Sequence, residues 1–225
     1  MTFPRSVDIE FTAQDISVSD VGDRAWGRAA KVPIATYWSG KPAPAGRRSE
    51  ARLLWSASAL YVRFEAEQAE PLVVSAQPDL DSKTIGLWDR DVCEIFVAPD
   101  RLRREKYYEF EIAPTGEWVD LAIDATSGKR LVDSEFASGM HAAAKIEEGR
   151  SVMAMKIPWT AFGKTPGDGE VWLGNIFRCV GQGPDRGYLA WRPTLTEVPN
   201  FHVPEVFGQF RFISRQDHRA EETPE

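Results

Sequence analysis

The chain has 225 residues, of which 43% are hydrophobic and 27% are charged, and its formal net charge is −7. These values are ordinary for one globular domain with a sizeable core, and without a basic run a nucleic-acid partner is not expected. No stretch approaches the roughly 18 apolar residues of a membrane span, so no membrane partner is expected either. The first residues lack the apolar region of a signal peptide, which predicts a cytoplasmic location, or a secreted or periplasmic one if a leader has been removed.

Short segments with a period of two recur along the chain. The first is a predicted hairpin over residues 51–67, with Leu60, Val62 and Phe64 on one face. The later segments are DVCEIFV, YYEFEIA, EWVDLAID, SVMAMKI, VWLGNIFRCV and FGQFRFI. No long helical stripe occurs, and DRAWGRAA and PWTAF predict single helical turns. We therefore expect an all-β fold, an antiparallel two-sheet β-sandwich of immunoglobulin-like or jelly-roll type.

No break in composition marks a second domain. The pattern predicts a single domain over residues 1–213 and a loose charged tail over residues 214–225.

The alternation assigns the acid in DVCEIFV to a face. Cys93 and Ile95 lie on the more apolar face, which we predict to be the core. Glu94 then points to the other face or into a shallow groove. Cys93 and Cys179 are the only cysteines, and we expect both to be buried free thiols rather than a disulfide.

Two further segments are interpreted in the same way. In YYEFEIA, Glu109 and Glu111 turn outward, and in EWVDLAID we expect the apolar residues to face the core and Asp120 to face outward. If the three strands form a meander, one outer face collects Glu94, Glu109, Glu111 and Asp120. Such a face is either a solvated sheet surface or a sugar-binding surface with Trp88 at its edge. A tryptophan in this position can also be a lid on the core.

Several stretches together resemble the family 9 carbohydrate-binding modules and their relatives in the DOMON-like group of β-sandwiches. The matching stretches, in the expected order, are LYVRFEAEQAEP, LWDRDVCEIFVAPD, YYEFEIAPTGEWVD, IPWTAFGKTPGDGEVWLGNIFR and YLAWRPTLTEVPNFHVPEVFG. The resemblance covers residues 20–213. It implies a β-sandwich that binds a mono- or oligosaccharide without cleaving it, and it makes association with carbohydrate-active enzymes and polysaccharide catabolism the expected context.

The resemblance also implies a site. Sugar-binding members clamp a terminal sugar between two tryptophans, and Trp88 and Trp191 match these two walls. Glu94 matches the acid that accepts hydrogen bonds from sugar hydroxyls. The chain departs from those members on the next strand, where an acid such as Glu109 replaces the usual basic side chain, and Glu109 is kept as a candidate binding residue.

Asn175 and Arg178 lie on the strand before the second tryptophan and are candidate floor donors. The two-residue period puts them on opposite faces unless Gly174 marks a bulge, so only one of them is expected to serve otherwise.

No cofactor is required by this interpretation, but some members of the family hold structural calcium in acidic loops. The acids that could supply such ligands, or are simply solvated turn residues, are Asp79, Asp81, Asp89 and Asp91.

Two other classes of function remain open. A glycoside hydrolase would use two carboxylates on the sheet face, for which Glu94 and Glu109 on adjacent strands are the first candidates. A haem module of the DOMON-like type would need Met and His ligands, but the adjacent Met140 and His141 would point to opposite faces of a strand.

Overall fold

The computed structural model describes residues 5–214, and the strand pattern dominates this part of the chain. The predicted tail, residues 214–225, lies outside the described residues apart from Ser214. Among the described residues, helices are confined to short 3-10 turns, of which the longest has four residues. None of the helices in residues 5–214 is both long enough and apolar enough to span a membrane.

Fourteen strands are present in the described part of the chain. They are β1 Ser6–Phe11, β2 Lys31–Ile34, β3 Thr36–Tyr37, β4 Ser49–Trp55, β5 Ala59–Glu67, β6 Val92–Ala98, β7 Lys106–Ile112, β8 Trp118–Asp124, β9 Leu131–Asp133, β10 His141–Glu147, β11 Arg150–Pro158, β12 Val171–Val180, β13 Gly187–Ala190 and β14 Gly208–Ile213. The 3-10 turns are Arg24–Gly27, Ala45–Arg47, Leu87–Asp89, Trp159–Phe162, Gly183–Asp185 and Pro204–Val206. The predicted turns in DRAWGRAA and PWTAF are among them.

The strands join in one curled path with the order β10-β11-β5-β4-β1-β14-β12-β6-β7-β8-β9, from which β2, β3 and β13 branch. Within the described residues β1 pairs in parallel with both β14 and β4, and the other strand pairs are antiparallel. The all-β prediction is confirmed, and the fold is consistent with a β-sandwich. The sheet is mixed rather than purely antiparallel, because β1 has no hairpin connection to either neighbour that would fix its direction.

The main core lies between the two halves of the curled sheet. Val62 and Phe64 of β5 belong to the same buried cluster as Ile95 of β6, Phe110 of β7 and Phe212 of β14. The predicted inward faces of the hairpin and of DVCEIFV are therefore confirmed.

The opposite face of β6, β7, β8 and β12 is also covered. Phe96 and Phe177 pack there with Phe201 and Phe207, which lie in the segment between β13 and β14. As a result every residue of β6 is buried, although the two faces contact different neighbours. We call this second covered side the loop-covered face.

The structure corrects the prediction for β8. Glu111 pairs with Val119, whereas Phe110 pairs with Asp120, so the apolar residues of β8 share the acidic face and Asp120 lies on the main core face. There Asp120 accepts a hydrogen bond from the backbone N–H of Ser138 at 2.6 Å. The sequence pattern assigned the two faces of β8 the wrong way round because a loop covers the acidic face, so the apolar residues of β8 are buried there instead of in the main core.

The two thiols are free and buried, as predicted. Cys93 belongs to the main core and Cys179 to the loop-covered face, so the sheet separates them.

Candidate functional site

A pocket of about 400 Å³ lies on the loop-covered face. The strand residues that line it are Glu94 of β6, Glu109 of β7, Leu121 of β8, Cys179 of β12, Tyr188 of β13 and Val132 of β9. The remaining lining residues come from connecting segments: Trp88, Asp89, Arg130, Pro199, Asn200, Phe201 and His202. The structure therefore brings together three of the predicted site residues, Trp88, Glu94 and Glu109.

The floor of the pocket is acidic because of strand register. Glu94 of β6 lies directly opposite Glu111 of β7, and Glu109 is two positions further along the same face. The three residues each offer a carboxylate oxygen, and these oxygens lie within 4.8 Å of one another. Like charges at this separation repel strongly when they are shielded from water.

Few groups compensate this charge. The thiol of Cys179 donates to Oε1 of Glu94 at 3.4 Å, whereas Oε2 of Glu109 and both oxygens of Glu111 have no hydrogen-bond partner among the described residues. A proton held between Glu109 and Glu111 would supply a hydrogen bond to this pair. The nearest basic ring atom, Nε2 of His202, is 4.0 Å from Oε2 of Glu109.

The surroundings favour the uncharged carboxylic acids. Burial raises the pKa of Glu94, and repulsion from Glu109 adds to the shift. Burial likewise raises the pKa of Glu109, and burial together with the two neighbouring carboxylates raises the pKa of Glu111. Burial also lowers the pKa of His202 to about 3, so this ring is neutral at physiological pH. It shares a hydrogen bond of 2.9 Å with the hydroxyl of Tyr107.

Trp88 lies at one side of the pocket. It occupies the middle of the Leu87–Asp89 turn, which Gly86 enters with a φ of 87° that favours glycine. The side chain of Leu87 is fully buried and anchors the turn, while Trp88 stays 39% exposed. Arg186 fixes the turn from outside by donating to the carbonyl of Trp88 at 2.5 Å.

Aromatic residues lie on another part of the pocket lining. The ring of Phe201 stacks on Phe177 with centroids 4.1 Å apart and an interplanar angle of 12°. Tyr188 meets Phe201 edge-on at 6.1 Å. These contacts restrict both rings, so the pocket has rigid apolar surface in addition to Trp88.

The prediction that Trp191 forms the second wall is wrong. Trp191 is 3% exposed and belongs to the main core, where its ring stacks on Phe210 with centroids 5.8 Å apart. Gly208 allows this approach, because a Cβ at that position would lie 2.4 Å from the Trp191 ring. Trp191 is a packing residue on the other side of the sheet.

Asn175 and Arg178 also serve the fold rather than the pocket lining. The amide of Asn175 donates to the carbonyl of Arg192 at 2.8 Å and accepts from its N–H at 3.1 Å. Arg178 donates to the carbonyls of Arg47 and Arg48, each at 2.8 Å. The two side chains point to opposite faces, as their spacing predicts, and Asn175 is on the same face as Glu94 but is fully buried.

The four acids proposed for calcium do not form a cluster in residues 5–214, where the single group with metal-ligand spacing is Glu94, Glu109 and Glu111. Asp91 is buried and accepts from the N–H groups of Val73 and Gly181. Asp79 is exposed and accepts from the N–H of Asp81. These contacts are those of a structural anchor and of a turn.

The residues considered for haem are also separated. Met140 is buried in the main core, whereas the adjacent His141 is exposed on β10.

A larger depression of about 580 Å³ lies beside the ends of β7 and β8. Most of its charged side chains form ion pairs, such as Lys106 with Asp124 at 2.8 Å and Arg103 with Asp100 at 3.4 Å, and Asp133 accepts a hydrogen bond from the N–H of Glu135 at 2.9 Å. The smaller pocket is the better candidate site because its buried carboxylates lack such partners.

Sequence reasoning missed Tyr188 on β13 and the loop-derived part of the pocket. Phe201 and His202 lie between β13 and β14 in a stretch without period-two alternation. The only available signal was the density of aromatic and proline residues in PNFHVPEVF, which marks an ordered loop without showing which residue it faces.

Comparisons with known proteins agree with this architecture. Residues 18–215 match the family model "Carbohydrate family 9 binding domain-like". No curated protein matches the chain. Among solved structures, a Bacteroides uniformis protein provisionally named carbohydrate-binding has a TM-score of 0.71 at 19% identity, covering 92% of this chain and 99% of its own.

A second similar protein is a family 9 carbohydrate-binding module from Caldicellulosiruptor kristjanssonii. Its complex with cellotriose has a TM-score of 0.67 at 15% identity and covers 98% of this chain and 100% of its own. Its complex with glucose has a TM-score of 0.66 at 15% identity and covers 94% and 97%. The likeness to these structures shows a shared fold, and the family match spans most of the sequence. The chain belongs to the carbohydrate family 9 binding domain-like family.

Proposed function

We propose that this protein binds a mono- or oligosaccharide, without cleaving it, in the pocket beside Trp88. The observation that carries the proposal is a partly exposed tryptophan beside buried carboxyl groups that lack partners. Membership of a carbohydrate-binding family and the glucose and cellotriose complexes of the Caldicellulosiruptor module support the same ligand class.

The chemistry of the pocket suits a sugar ring. A pyranose has an apolar C–H face, which can stack on the indole of Trp88, and a polar rim that needs hydrogen-bond partners. Glu94 and Glu109 offer those partners, and either protonation state can bond to a hydroxyl. Phe201 and Tyr188 add apolar surface to the same pocket.

The arrangement favours binding over hydrolysis. A glycosidase places two carboxyl groups about 5–9 Å apart so that they flank the scissile bond. Here Glu94 and Glu109 lie together on one floor, with oxygens within 4.8 Å, so they would meet a ligand from the same side. We therefore expect no turnover of aryl glycosides.

Isothermal titration calorimetry with hits from a glycan array tests the proposal. Small sugars lose translational and rotational freedom on binding, so we expect dissociation constants on the order of micromolar to millimolar. Trp88→Ala should weaken binding about tenfold or more, because it removes apolar contact area from the ligand.

Trp118→Ala is the matched control. Trp118 is also a partly buried tryptophan, but it packs against the main core and does not line this pocket. Equal losses of affinity in the two variants, or no sugar binding by the unaltered protein, would contradict the proposed site.

A further inference from the structure

Resting on the sugar-binding function proposed above, we infer that the preferred ligand is an amino sugar, with its ammonium group held by Glu94 and Glu109 on the pocket floor. The inference concerns the class of sugar, and it depends on charge and geometry at the floor rather than on the aromatic walls.

The first step is the charge of the floor. Glu94 and Glu109 line the pocket while Glu111 lies behind them, and all three are at least 96% buried. Within residues 5–214 no lysine or arginine forms an ion pair with any of the three. The adjacent His202 ring is neutral and therefore supplies no counter-charge.

The second step concerns the charged groups near the cluster. Arg186 donates to the carbonyls of Gly181, Trp88 and Arg90, so its hydrogen bonds are directed to the backbone. Arg130 is exposed, lines the pocket and by electrostatic attraction offsets part of the burial-driven rise in the pKa of Glu109, but it forms no ion pair with the three glutamates among the described residues. Asp89 adds a further negative charge to the pocket lining. A ligand cation is thus the group that would pair directly with the floor.

The third step is geometric. An ammonium nitrogen forms charge-assisted hydrogen bonds of about 2.8 Å in tetrahedral directions, so its acceptors lie about 4.6 Å apart. The oxygens of Glu94, Glu109 and Glu111 lie within 4.8 Å of one another. Glu109 lines the pocket and is 4% exposed, and its Oε2 has no hydrogen-bond partner among the described residues.

The fourth step is energetic. Buried carboxyl groups without a cation keep their protons, and burial with mutual repulsion raises the pKa of all three. Binding of a neutral sugar leaves these carboxyl groups protonated. An ammonium replaces the proton as the positive charge, so its binding releases protons to the solvent and gains a charge-assisted contact that a hydroxyl does not make.

The experiment is calorimetry with matched sugars at neutral pH. The probes are glucose, glucosamine and N-acetylglucosamine, together with 6-amino-6-deoxyglucose and its N-acetyl derivative, because the floor does not fix which carbon carries the amine. We expect at least one amino sugar to bind about tenfold or more tightly than glucose and than its own N-acetyl form. Titrations in buffers of different ionisation enthalpy should show proton release for that ligand.

The variant Glu109→Gln should abolish this preference, so that the amino sugar binds no more tightly than its N-acetyl form. Glu148→Gln, which makes the same change on an exposed turn, should keep the preference. Circular dichroism and thermal melts establish that both variants are folded.

The outcomes separate the two proposals. Binding of glucose or another neutral sugar with no gain from any amine would overturn the inference and leave the proposed function intact. Absence of binding by every sugar, amino or neutral, would overturn the function. Calcium binding that requires Glu94 and Glu109, with no amine preference, would overturn the inference by making the cluster a metal site.

Discussion

Asp91 and Glu94 are close neighbours in the chain, and both are buried, yet their carboxyl groups have opposite surroundings. Asp91 accepts hydrogen bonds from the N–H groups of Gly181 at 2.7 Å and Val73 at 3.1 Å, and from the side chain of Gln68 at 3.2 Å. Within residues 5–214, Glu94 accepts a single weak hydrogen bond, from a thiol, and faces other acids. A buried acid with several N–H donors anchors a loop, whereas one without donors indicates a place for a ligand.

The tryptophans show the same contrast. Trp191 is enclosed in the main core and Trp88 is 39% exposed beside the pocket. We therefore compare an anchoring region, containing Asp91 and Trp191, with a ligand-facing region, containing Trp88 and the three glutamates. The comparison predicts that substitutions in the anchoring region lower stability, whereas substitutions in the ligand-facing region change sugar binding or titration.

The largest expected effect is in the anchoring region. Trp191→Ala should lower the free energy of unfolding by about 3–5 kcal/mol, because it opens a cavity in the core. Trp88→Ala should lower it by less than about 1 kcal/mol. Urea denaturation measures both, and equal losses would remove the distinction between the two tryptophans.

Asp91→Ala should lower the free energy of unfolding by about 3 kcal/mol, since three hydrogen-bond donors around this buried carboxyl group lose their acceptor. The control is Asp79→Ala on an exposed turn, which should cost under about 1 kcal/mol. A small loss of stability in Asp91→Ala, measured by the same urea denaturation, would show that water can replace the carboxylate as hydrogen-bond acceptor.

Replacing an acid in the ligand-facing region should have the opposite sign. Glu111→Leu should raise the free energy of unfolding by about 1–3 kcal/mol near pH 8, because it removes a buried carboxyl group with no partner and fills similar space. Glu111 does not line the pocket, so sugar affinity should change little. Destabilisation would mean that the carboxyl group contributes contacts to the fold.

The last prediction is the pH dependence of stability. Burial raises the pKa of Glu94 to about 8 and of Glu109 to about 7, so both keep a proton in the folded state that the unfolded chain has lost. The stabilisation that these two protonated groups give the folded state is complete below about pH 4.3, the ordinary pKa of a glutamate. It is lost as the pH rises through their pKa values in the folded state.

His202 acts in the other direction at lower pH. Burial lowers the pKa of His202 to about 3, so its contribution to the free energy of unfolding falls as the pH drops below the ordinary value of 6.5. The glutamate effect is therefore clearest between about pH 6.5 and 8, where the free energy of unfolding should decline. A flat profile there, or one unchanged by Glu94→Gln, would contradict the buried acid cluster.

The sequence allowed prediction of the acids on β6 and β7, because a period of two places Glu94 on one face and Cys93 on the other whatever covers them. It did not predict which face of β8 points to the main core, since the residues of β8 on the acidic face are apolar and packed under a loop. It also failed for Trp191. Whether a tryptophan near a strand end reaches the pocket depends on which side of the sheet it packs, and local pattern does not encode that.

The position of β1 has a consequence for the order of folding. Residues Ser6 and Val7 pair with Gln209 and Phe210 of β14, whereas the contact with β4 involves only two residue pairs. The first strand thus acquires most of its partners only after the last strand has been synthesised. Contacts of such long sequence separation slow folding, and we expect refolding in the range of milliseconds to seconds. Until β14 arrives, a nascent chain lacks Phe210 and Phe212 and leaves apolar core surface for chaperones to bind.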